Sequence, residues 1–320
     1  MLHVLSGIVP IVLVVTLGTL LTKLGMFSRD DIAALSRFVV KVALPLLIFV
    51  NVSGRPVTDL LQPTYLLTYA GIAALMYAVA RLRAWATGGS RVRAAFLGMG
   101  MSGTNNGFMG FPMLLILVPE WAGAAVGMSM VVDSAFIIPL GLFLADHAAS
   151  TGTPRERLLR TARHVFLHPM VIAIVLALSM TAVGLHLPGP IARTVDLLAV
   201  TSSGVALFAI GGVIASGHVR GAGVDVVAGA VGKLVVAPLL VIAFARALPA
   251  LGVPALPTPL LVSLVLLCSL PTFSIMPSLA DAHGEADFAS ASVMVQTVAS
   301  FVTISGWLLV LEWLGWLPAL

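Results

Sequence analysis

The feature that most constrains this chain is the recurrence of apolar stretches about as long as a bilayer is thick. A helix that crosses the hydrocarbon core needs roughly 20 mostly apolar residues. Ten stretches meet this length, at about 5–26, 32–53, 64–83, 93–118, 121–145, 167–186, 191–215, 225–248, 258–280 and 287–317. Only 9% of the residues are charged, against about 25% in soluble domains. The sequence therefore predicts an all-α polytopic protein with ten transmembrane helices in a lipid bilayer.

The basic residues of the connecting loops fall mainly on one side of the predicted membrane. Cytoplasmic loops of membrane proteins carry the excess of Lys and Arg. The loops after predicted spans one, three, five and seven contain Lys23, Arg29, Arg81, Arg83, Arg91, Arg93, Arg155, Arg157, Arg160, Arg163 and Arg220. The opposite side contains Arg55, Arg193 and Arg246. We therefore predict an inner (plasma) membrane protein with both termini outside. The formal net charge of +4 belongs to these loops and does not indicate a nucleic-acid partner.

Two halves of the chain resemble each other. The run from Pro10 to Gly25 matches the run from Pro169 to Gly184 in length, and "VALPLLIFVNVSG" at 42–54 matches "VALFAIGGVIASG" at 205–217. Because each half has five spans, the second must enter the membrane from the opposite side, which gives the inverted repeat common among secondary transporters. We predict five-helix repeats at 1–146 and 167–320, joined by a basic cytoplasmic linker at 147–166. Chance similarity between apolar segments is the alternative.

The fourth and ninth predicted spans contain helix breakers near their centres. The fourth reads "GMGMSGTNNGFMGFPMLLILV" at 98–118, and the ninth reads "LVLLCSLPTFSIMPSLA" at 264–280. Glycine and proline both interrupt helices, and unwound backbone inside a membrane survives only where protein buries it or where it lines a cavity. We predict two broken, crossing helices whose shape depends on Gly103, Gly110, Pro112, Pro271 and Pro277. Alternatively, the glycines serve close helix packing and the prolines only bend the helices.

A crossing of this kind predicts a binding site for an anion. The second half of each broken helix is expected to begin near 105–107 and near 272–274, and a helix N-terminus carries free N–H groups and a partial positive charge. Such a terminus favours a carboxylate, and asparagine amides add donors without a buried full charge. The predicted substrate-binding residues are Asn105, Asn106, Gly107, Pro271, Thr272 and Ser274.

Three further polar residues in apolar spans are candidates for coupling transport to an ion. Asp133 lies near the centre of the fifth span, where a carboxyl is costly and by default functional. It could carry a proton, bind a cation, or only hydrogen-bond to a neighbouring helix. Lys233, in the eighth span, could pair with Asp133 or support the crossing. Gln296, in the tenth, could line the crossing or hydrogen-bond to a neighbouring helix.

The segment "TNNGFMGFP" resembles the signature of the auxin efflux carrier family, which includes the plant PIN carriers and bacterial malonate-type permeases. Asn105, Met109, Gly110 and Pro112 fill the family pattern. The resemblance implies a fold similar to that of the bile-acid:sodium symporters, with elevator-like movement. It also implies a scaffold built from spans one, two, six and seven, and a transport domain built from spans three to five and eight to ten.

We therefore predict a secondary active transporter of a small organic anion, such as an auxin-like or malonate-like carboxylate. The sequence contains no evident catalytic residue set, metal-ligand cluster or phosphate-binding loop, so we predict neither an enzyme nor a bound cofactor or metal. The ninth span offers only hydroxyls, which favours a proton or no coupling ion over sodium. The alternatives are a sodium-coupled anion symporter, a channel, and a membrane-embedded receptor or enzyme. A homodimer is a further expectation.

Overall fold

The computed structural model describes residues 2–53, 62–149, 169–216 and 223–317. Within these ranges the chain forms helices and no strand. Most of the predicted linker at 147–166 lies outside the described residues, as do several of the loop arginines on which the predicted orientation depends, namely Arg55, Arg155, Arg157, Arg160, Arg163 and Arg220.

Six helical stretches of the described chain are long and apolar enough to cross a membrane. They are Arg29–Val50, Pro63–Thr87, Pro119–Ala148, Gly189–Ala215, Val224–Ala250 and Ala286–Trp313. Two shorter apolar helices are Val12–Lys23 and Thr258–Cys268. The chain is therefore a multi-pass membrane protein whose described part is all-helical. The six long stretches coincide with predicted spans two, three, five, seven, eight and ten.

The individual helices are shorter than the spans because some spans contain π-helical turns or breaks. In chain order they are α1 (Leu2–Lys23), α2 (Arg29–Phe38), α3 (Leu44–Val52), α4 (Pro63–Thr87), α5 (Arg91–Ser102), α6 (Phe111–Leu117), α7 (Pro119–Val132), α8 (Ile138–Ala148), α9 (Pro169–Ala182), α10 (Gly189–Ser216), α11 (Val224–Val231), α12 (Ala237–Ala247), α13 (Thr258–Cys268), α14 (Met276–Asp281) and α15 (Ala286–Trp313). A 3₁₀ turn, Leu248–Leu251, follows α12.

Four π-helical turns each precede a proline. The turns are Val39–Ala43, Asn106–Gly110, Asp133–Ile137 and Gly232–Val236, and the prolines are Pro45, Pro112, Pro139 and Pro238. A proline ring inside a helix clashes with the carbonyl four residues before it. In all four turns the residue just before the proline donates its N–H to the carbonyl five residues back instead. The wider turn thus accommodates the ring while the helix continues.

Two spans are broken outright, in the stretches where glycine and proline predicted it. The backbone is non-helical at 103–105, between α5 and the turn that leads into α6, and at 269–275, between α13 and α14. The second break is longer than predicted. Its following helix begins at Met276 rather than near Thr272 and has only six residues, because Pro277 favours the first turn of a helix.

Helices from the two halves of the chain pack against each other. Helix α1 lies along α10, and α9 packs against α3. A side chain on Gly18 would collide with the carbonyl of Phe208, and one on Gly211 would collide with the carbonyl of Val15. The Thr19 hydroxyl donates to the Gly211 carbonyl at 3.0 Å. Glycine on both helices therefore permits the close approach of α1 and α10, as is common between membrane helices.

Candidate functional site

The two broken segments meet at Asn105. Its backbone N–H donates to the Pro271 carbonyl at 2.8 Å, and its side-chain Nδ2 donates to Ser274 Oγ at 3.2 Å. Its Oδ1 accepts the backbone N–H of Phe108 at 3.2 Å, which caps the start of the following helical turn. One asparagine thus satisfies backbone groups that the breaks would leave unpaired, and joins the fourth segment to the ninth.

Gln296, on α15, also contacts both broken segments. Its Oε1 accepts the Thr272 backbone N–H at 2.9 Å, and its Nε2 donates to the Gly100 carbonyl at 3.2 Å. The side chain is 0% exposed. Gln296 is thus a hydrogen-bonded tie between α5 and the unwound backbone of the ninth segment.

Two glycines allow the segments to approach. A side chain on Gly103 would collide with the Phe273 ring, and a methyl group on Gly110 would lie 2.6 Å from Leu267 Cδ2. Both partners belong to α13 or to the break that follows it. A larger residue at either position would displace the Phe273 or Leu267 side chain, so the glycines serve close contact as well as backbone freedom.

The Asp133 carboxylate lies beside the crossing and is 6% exposed. Its Oδ1 accepts the Tyr69 hydroxyl at 2.8 Å, and its Oδ2 accepts Asn106 Nδ2 at 2.6 Å. Asp133 is the first residue of a π-helical turn, a feature frequent at functional sites. The Asn106 amide, predicted as a donor for an anion, is therefore directed at this carboxylate.

Lys233 lies on the other side of the same network and is 0% exposed. Its Nζ donates to Thr104 Oγ1 at 2.6 Å and to the Ser102 carbonyl at 3.3 Å. The Thr104 hydroxyl lies 2.9 Å from the Tyr69 hydroxyl, which reaches Asp133. Lys233 thus supports the unwound backbone directly and reaches Asp133 through two hydroxyls. The buried cation, the two hydroxyls and the buried carboxylate thus form a polar row of four groups.

A small cavity borders this network. It has a volume of about 60 Å³ and lies between the crossing and the second span, where Asn106, Gly107, Asp133, Phe273 and Leu44 contribute to its wall. A methyl group on Gly107 would lie 2.6 Å from Leu44 Cδ1. One water needs about 10–15 Å³ of such space, so the cavity has room for roughly four waters or a small organic ion.

A larger cavity of about 700 Å³ lies away from the crossing, at the ends of α4, α5 and α11. Its arginines are already paired. Arg83 binds Asp225 at 2.8 Å, and Arg93 binds Glu285 at 2.8 Å. The smaller cavity is the stronger candidate for a functional site, because there buried polar groups converge on broken helices.

Sequence reasoning missed Tyr69 and the role of Thr104. The chain has only three tyrosines, and all of them are buried on α4. Tyr65 OH lies 2.8 Å from Ser129 Oγ, and Tyr77 OH donates to the Ile137 carbonyl at 2.7 Å. Buried tyrosine hydroxyls normally need a partner. The concentration of all three in one apolar span was the signal that could have identified this hydrogen-bonded face.

Comparisons with known proteins find a family and several relatives that the chain resembles. The profile of the family described as "Membrane transport protein" matches residues 3–308. A protein of Rhizobium meliloti (strain 1021) named "Putative malonate transporter" is 27% identical over 320 residues, which cover 98% of each chain. "Uncharacterized transporter YfdV" of Escherichia coli (strain K12) is 25% identical over 214 residues, covering 65% of this chain and 67% of that protein.

Proposed function

The chain belongs to the membrane transport protein family, the auxin efflux carrier-type family that its fourth segment resembles, and we propose that it is a secondary transporter of a small carboxylate. The observation that carries the proposal is the crossing itself. There a buried Asn105 joins two broken helices beside a cavity that also borders Asn106 and Asp133. Broken helices that meet in this way form the substrate site in many secondary transporters.

An anion is favoured by the charges and dipoles around the cavity. The helical stretch that begins at Asn106 and continues through α6 starts at the cavity wall. Its N-terminal end carries a partial positive charge. Lys233 is fully buried behind Thr104. A carboxylate at Asn105 to Gly107 would therefore meet a positive potential, opposed by Asp133 when that residue is ionised and by the unpaired Asn106 Oδ1 in its present orientation.

A short carboxylate is the first class of substrate to consider. The relative named for malonate covers the full chain, and malonate is a short dicarboxylate. Malonate is therefore the first substrate to test.

We further propose an alternating-access mechanism of the elevator type, built on ten spans in two inverted repeats. Spans one, two, six and seven would form the scaffold, and spans three to five and eight to ten would form the moving domain. The packing of α1 on α10 and of α9 on α3 supports this division. Span one contacts span seven and span six contacts span two, as an inverted repeat would require.

For coupling we propose a proton carried by Asp133. Sodium coupling is the second candidate, because Asp133 and the Asn106 Oδ1 atom offer oxygen ligands of the kind that hard cations prefer. The proton comes first because the ninth segment adds only hydroxyl side chains to this set of oxygen ligands.

Transport assays in proteoliposomes test the proposed function. We expect uptake of labelled malonate that saturates, accelerates when unlabelled malonate is preloaded, and responds to an imposed pH gradient. A channel would show no counterflow, and a receptor or enzyme would show no flux. Asp133→Asn should lose gradient-driven uptake yet keep part of the exchange activity. Uptake that follows a sodium gradient at constant pH would replace the proton with sodium.

The proposed orientation is tested separately by labelling. Cysteines introduced at 150–160 should react only from the cytoplasmic side, and a tag after residue 320 should react only from outside. A tag that reacts from the cytoplasm would reverse the orientation predicted from the basic loops.

A further inference from the structure

Asn106 is hydrogen-bonded at one end of its side-chain amide and not at the other. Its Nδ2 donates to Asp133 Oδ2 at 2.6 Å. Its Oδ1 is buried, and no group among the described residues donates to it. A buried acceptor without a donor is unfavourable, and the residue borders the cavity at the crossing. The unpaired end of this amide therefore needs an explanation.

The two ends of an asparagine amide are nearly the same in shape and opposite in chemistry. The terminal torsion of asparagine is broad and roughly two-fold, so the group can turn over without a change in packing. The nitrogen is a donor and the oxygen is an acceptor. Facing an ionised Asp133 carboxylate, the amide must present its nitrogen. Facing a protonated Asp133, it can present its oxygen and accept the carboxyl hydrogen.

We propose that Asn106 is a two-position switch that links protonation of Asp133 to binding of the carboxylate substrate. With Asp133 ionised, Nδ2 is held by Asp133 and the unpaired Oδ1 would repel an anion. With Asp133 protonated, the carboxyl O–H donates to Oδ1, and Nδ2 takes the unpaired position and donates to the anion. This inference rests on the proposed function and specifies how that site couples its two ligands.

Each ligand then makes the other more favourable. Without an anion, one end of the amide stays unpaired in either state: Oδ1 when Asp133 is ionised and Nδ2 when Asp133 is protonated. Without the added proton, the anion meets both an acceptor and a carboxylate. When an anion binds together with one proton, both ends of the amide are hydrogen-bonded. This gives a coupling free energy between the two ligands, and such coupling is reciprocal.

The charged groups around Asp133 also favour binding of the anion when Asp133 is protonated. Among the described residues, the titratable groups that face it are Tyr65, Tyr69, Tyr77, Lys233 and Cys268. Lys233 is the one cation among them, and it stays in place behind Thr104. Protonation of Asp133 leaves the site with the positive charge of Lys233, and ionised Asp133 cancels it. The anion is thus favoured in the protonated state by charge as well as by the donor from Asn106.

Binding measurements separate the switch from simple repulsion by Asp133. Malonate is titrated by calorimetry into purified protein at the acidic and alkaline ends of a range over which malonate keeps its charge. In Asn106→Leu, which keeps the volume and removes the amide, we expect a roughly ten- to hundred-fold loss of affinity at acidic pH and little change at alkaline pH. An equal loss at both pH values would overturn the switch, because the amide would then act independently of Asp133.

Asp133→Asn supplies the opposite test. Its new amide can donate to Asn106 Oδ1, so it imitates the protonated carboxyl. We expect the acidic wild-type affinity at every pH and no proton uptake on binding. The matched control is Thr68→Val, which removes a buried hydroxyl bonded within α4 to the Thr64 carbonyl and should keep the wild-type pH dependence. Affinity of Asp133→Asn fixed at the alkaline wild-type level would contradict the proposal.

Infrared difference spectra of the ligand-free protein test the switch without any substrate. Between the two pH values, the carboxyl C=O band that Asp133→Asn removes and the amide C=O band that Asn106→Leu removes should change in the same titration. A carboxyl band that titrates while the Asn106 band stays constant would overturn the switch. If the wild type binds no malonate but these bands change together, the proposed substrate is wrong and the switch stands.

Discussion

The two broken segments each interrupt a predicted membrane span, but different residues cause the interruption. The fourth is broken by Gly103 and the asparagines after it, and it is followed by a π-helical turn. The ninth is broken near Pro271 over a longer stretch, and its second helix, α14, is short. The fourth segment contributes Asn106 to Asp133 and Thr104 to Lys233, and Tyr69 of α4 also reaches Asp133, whereas the ninth mainly contributes backbone. The fourth segment therefore supplies polar side chains to the candidate site, and the ninth supplies mainly backbone groups that hold the fourth segment in position.

This division follows from how the freed backbone groups are satisfied. The Ser102 carbonyl accepts a hydrogen bond from Lys233, which is part of the polar row. The Thr272 N–H and the Pro271 carbonyl are paired by Gln296 and Asn105. Polar groups inside a membrane must be paired within the protein. In the fourth segment the pairing brings ionisable groups together, and in the ninth it brings only amides.

The largest expected effect comes from removing the cation behind the fourth segment. Lys233→Met leaves the Ser102 carbonyl and Asp133 without their cationic partner, and breaking a buried charge arrangement costs about 3–5 kcal/mol. We expect a strong loss of thermal stability in detergent, partly recovered in the double variant with Asp133→Asn. Lys41 also lies in a π-helical turn but is exposed, so Lys41→Met is the matched control. Equal losses in both variants would show that Lys233 only packs.

The next effect separates binding from stability at Asn105. In Asn105→Asp the side chain can still accept the Phe108 N–H, and Ser274 can donate to the carboxylate, so the fold should survive. The new charge would face the substrate carboxylate, and loss of a donor to a charged group alone costs about 1.5–3 kcal/mol. We expect at least a hundred-fold weaker malonate binding in protein of near wild-type thermal stability.

Unchanged affinity of Asn105→Asp, at a pH where an exposed aspartate is ionised, would remove Asn105 from the anion site. A misfolded variant with normal binding in its folded fraction would instead make the residue a packing element. Monodispersity on gel filtration, measured on the same sample as the binding isotherm, distinguishes the two results.

The breaks were predictable from sequence because glycine and proline act on their own backbone. The π-helical turns follow the same local rule, since each of Pro45, Pro112, Pro139 and Pro238 is preceded by one. The partners of the polar groups were not predictable in this way. Tyr69 and Asp133 are 64 residues apart, and helical periodicity within one span does not indicate which face of another span it will meet.

The start of the second helix in the ninth segment could not be predicted from the local sequence. Its prolines indicated a break, but the unwound stretch continues past Thr272, whose N–H pairs with Gln296 from α15, and the helix starts only at Met276, just before Pro277. That pairing spans 24 residues and depends on tertiary packing. The fourth segment was anticipated more fully because Asn105 forms its cap with Phe108, three residues away.

A smaller effect is expected from the tie on the ninth segment. Gln296→Leu leaves the Thr272 N–H and the Gly100 carbonyl unpaired, and each such buried group costs about 1–3 kcal/mol. We expect reduced thermal stability and little change in malonate affinity once the protein is folded. Gln296→Glu keeps the acceptor for Thr272 and should lose less stability. A selective loss of affinity in Gln296→Leu would give the ninth segment a direct part in binding.

The smallest expected effect is at Pro277, and it tests whether the proline of the ninth segment shapes the site. Pro277 is the second residue of α14, where a helix leaves its N–H groups unpaired in any case. Replacement by alanine costs no hydrogen bond, and the loss of proline's restriction on the unfolded chain is worth about 0.4–1 kcal/mol. Even if this whole cost appeared in binding, affinity would fall by less than ten-fold, because about 1.4 kcal/mol corresponds to ten-fold. The cost concerns the unfolded chain, so we expect Pro277→Ala to retain malonate affinity within about two-fold. Thermal unfolding and calorimetry on one preparation measure both quantities. A ten-fold loss of affinity with unchanged stability would mean that the ninth segment holds the substrate through its helix geometry, and the two segments would then be equal contributors to the site.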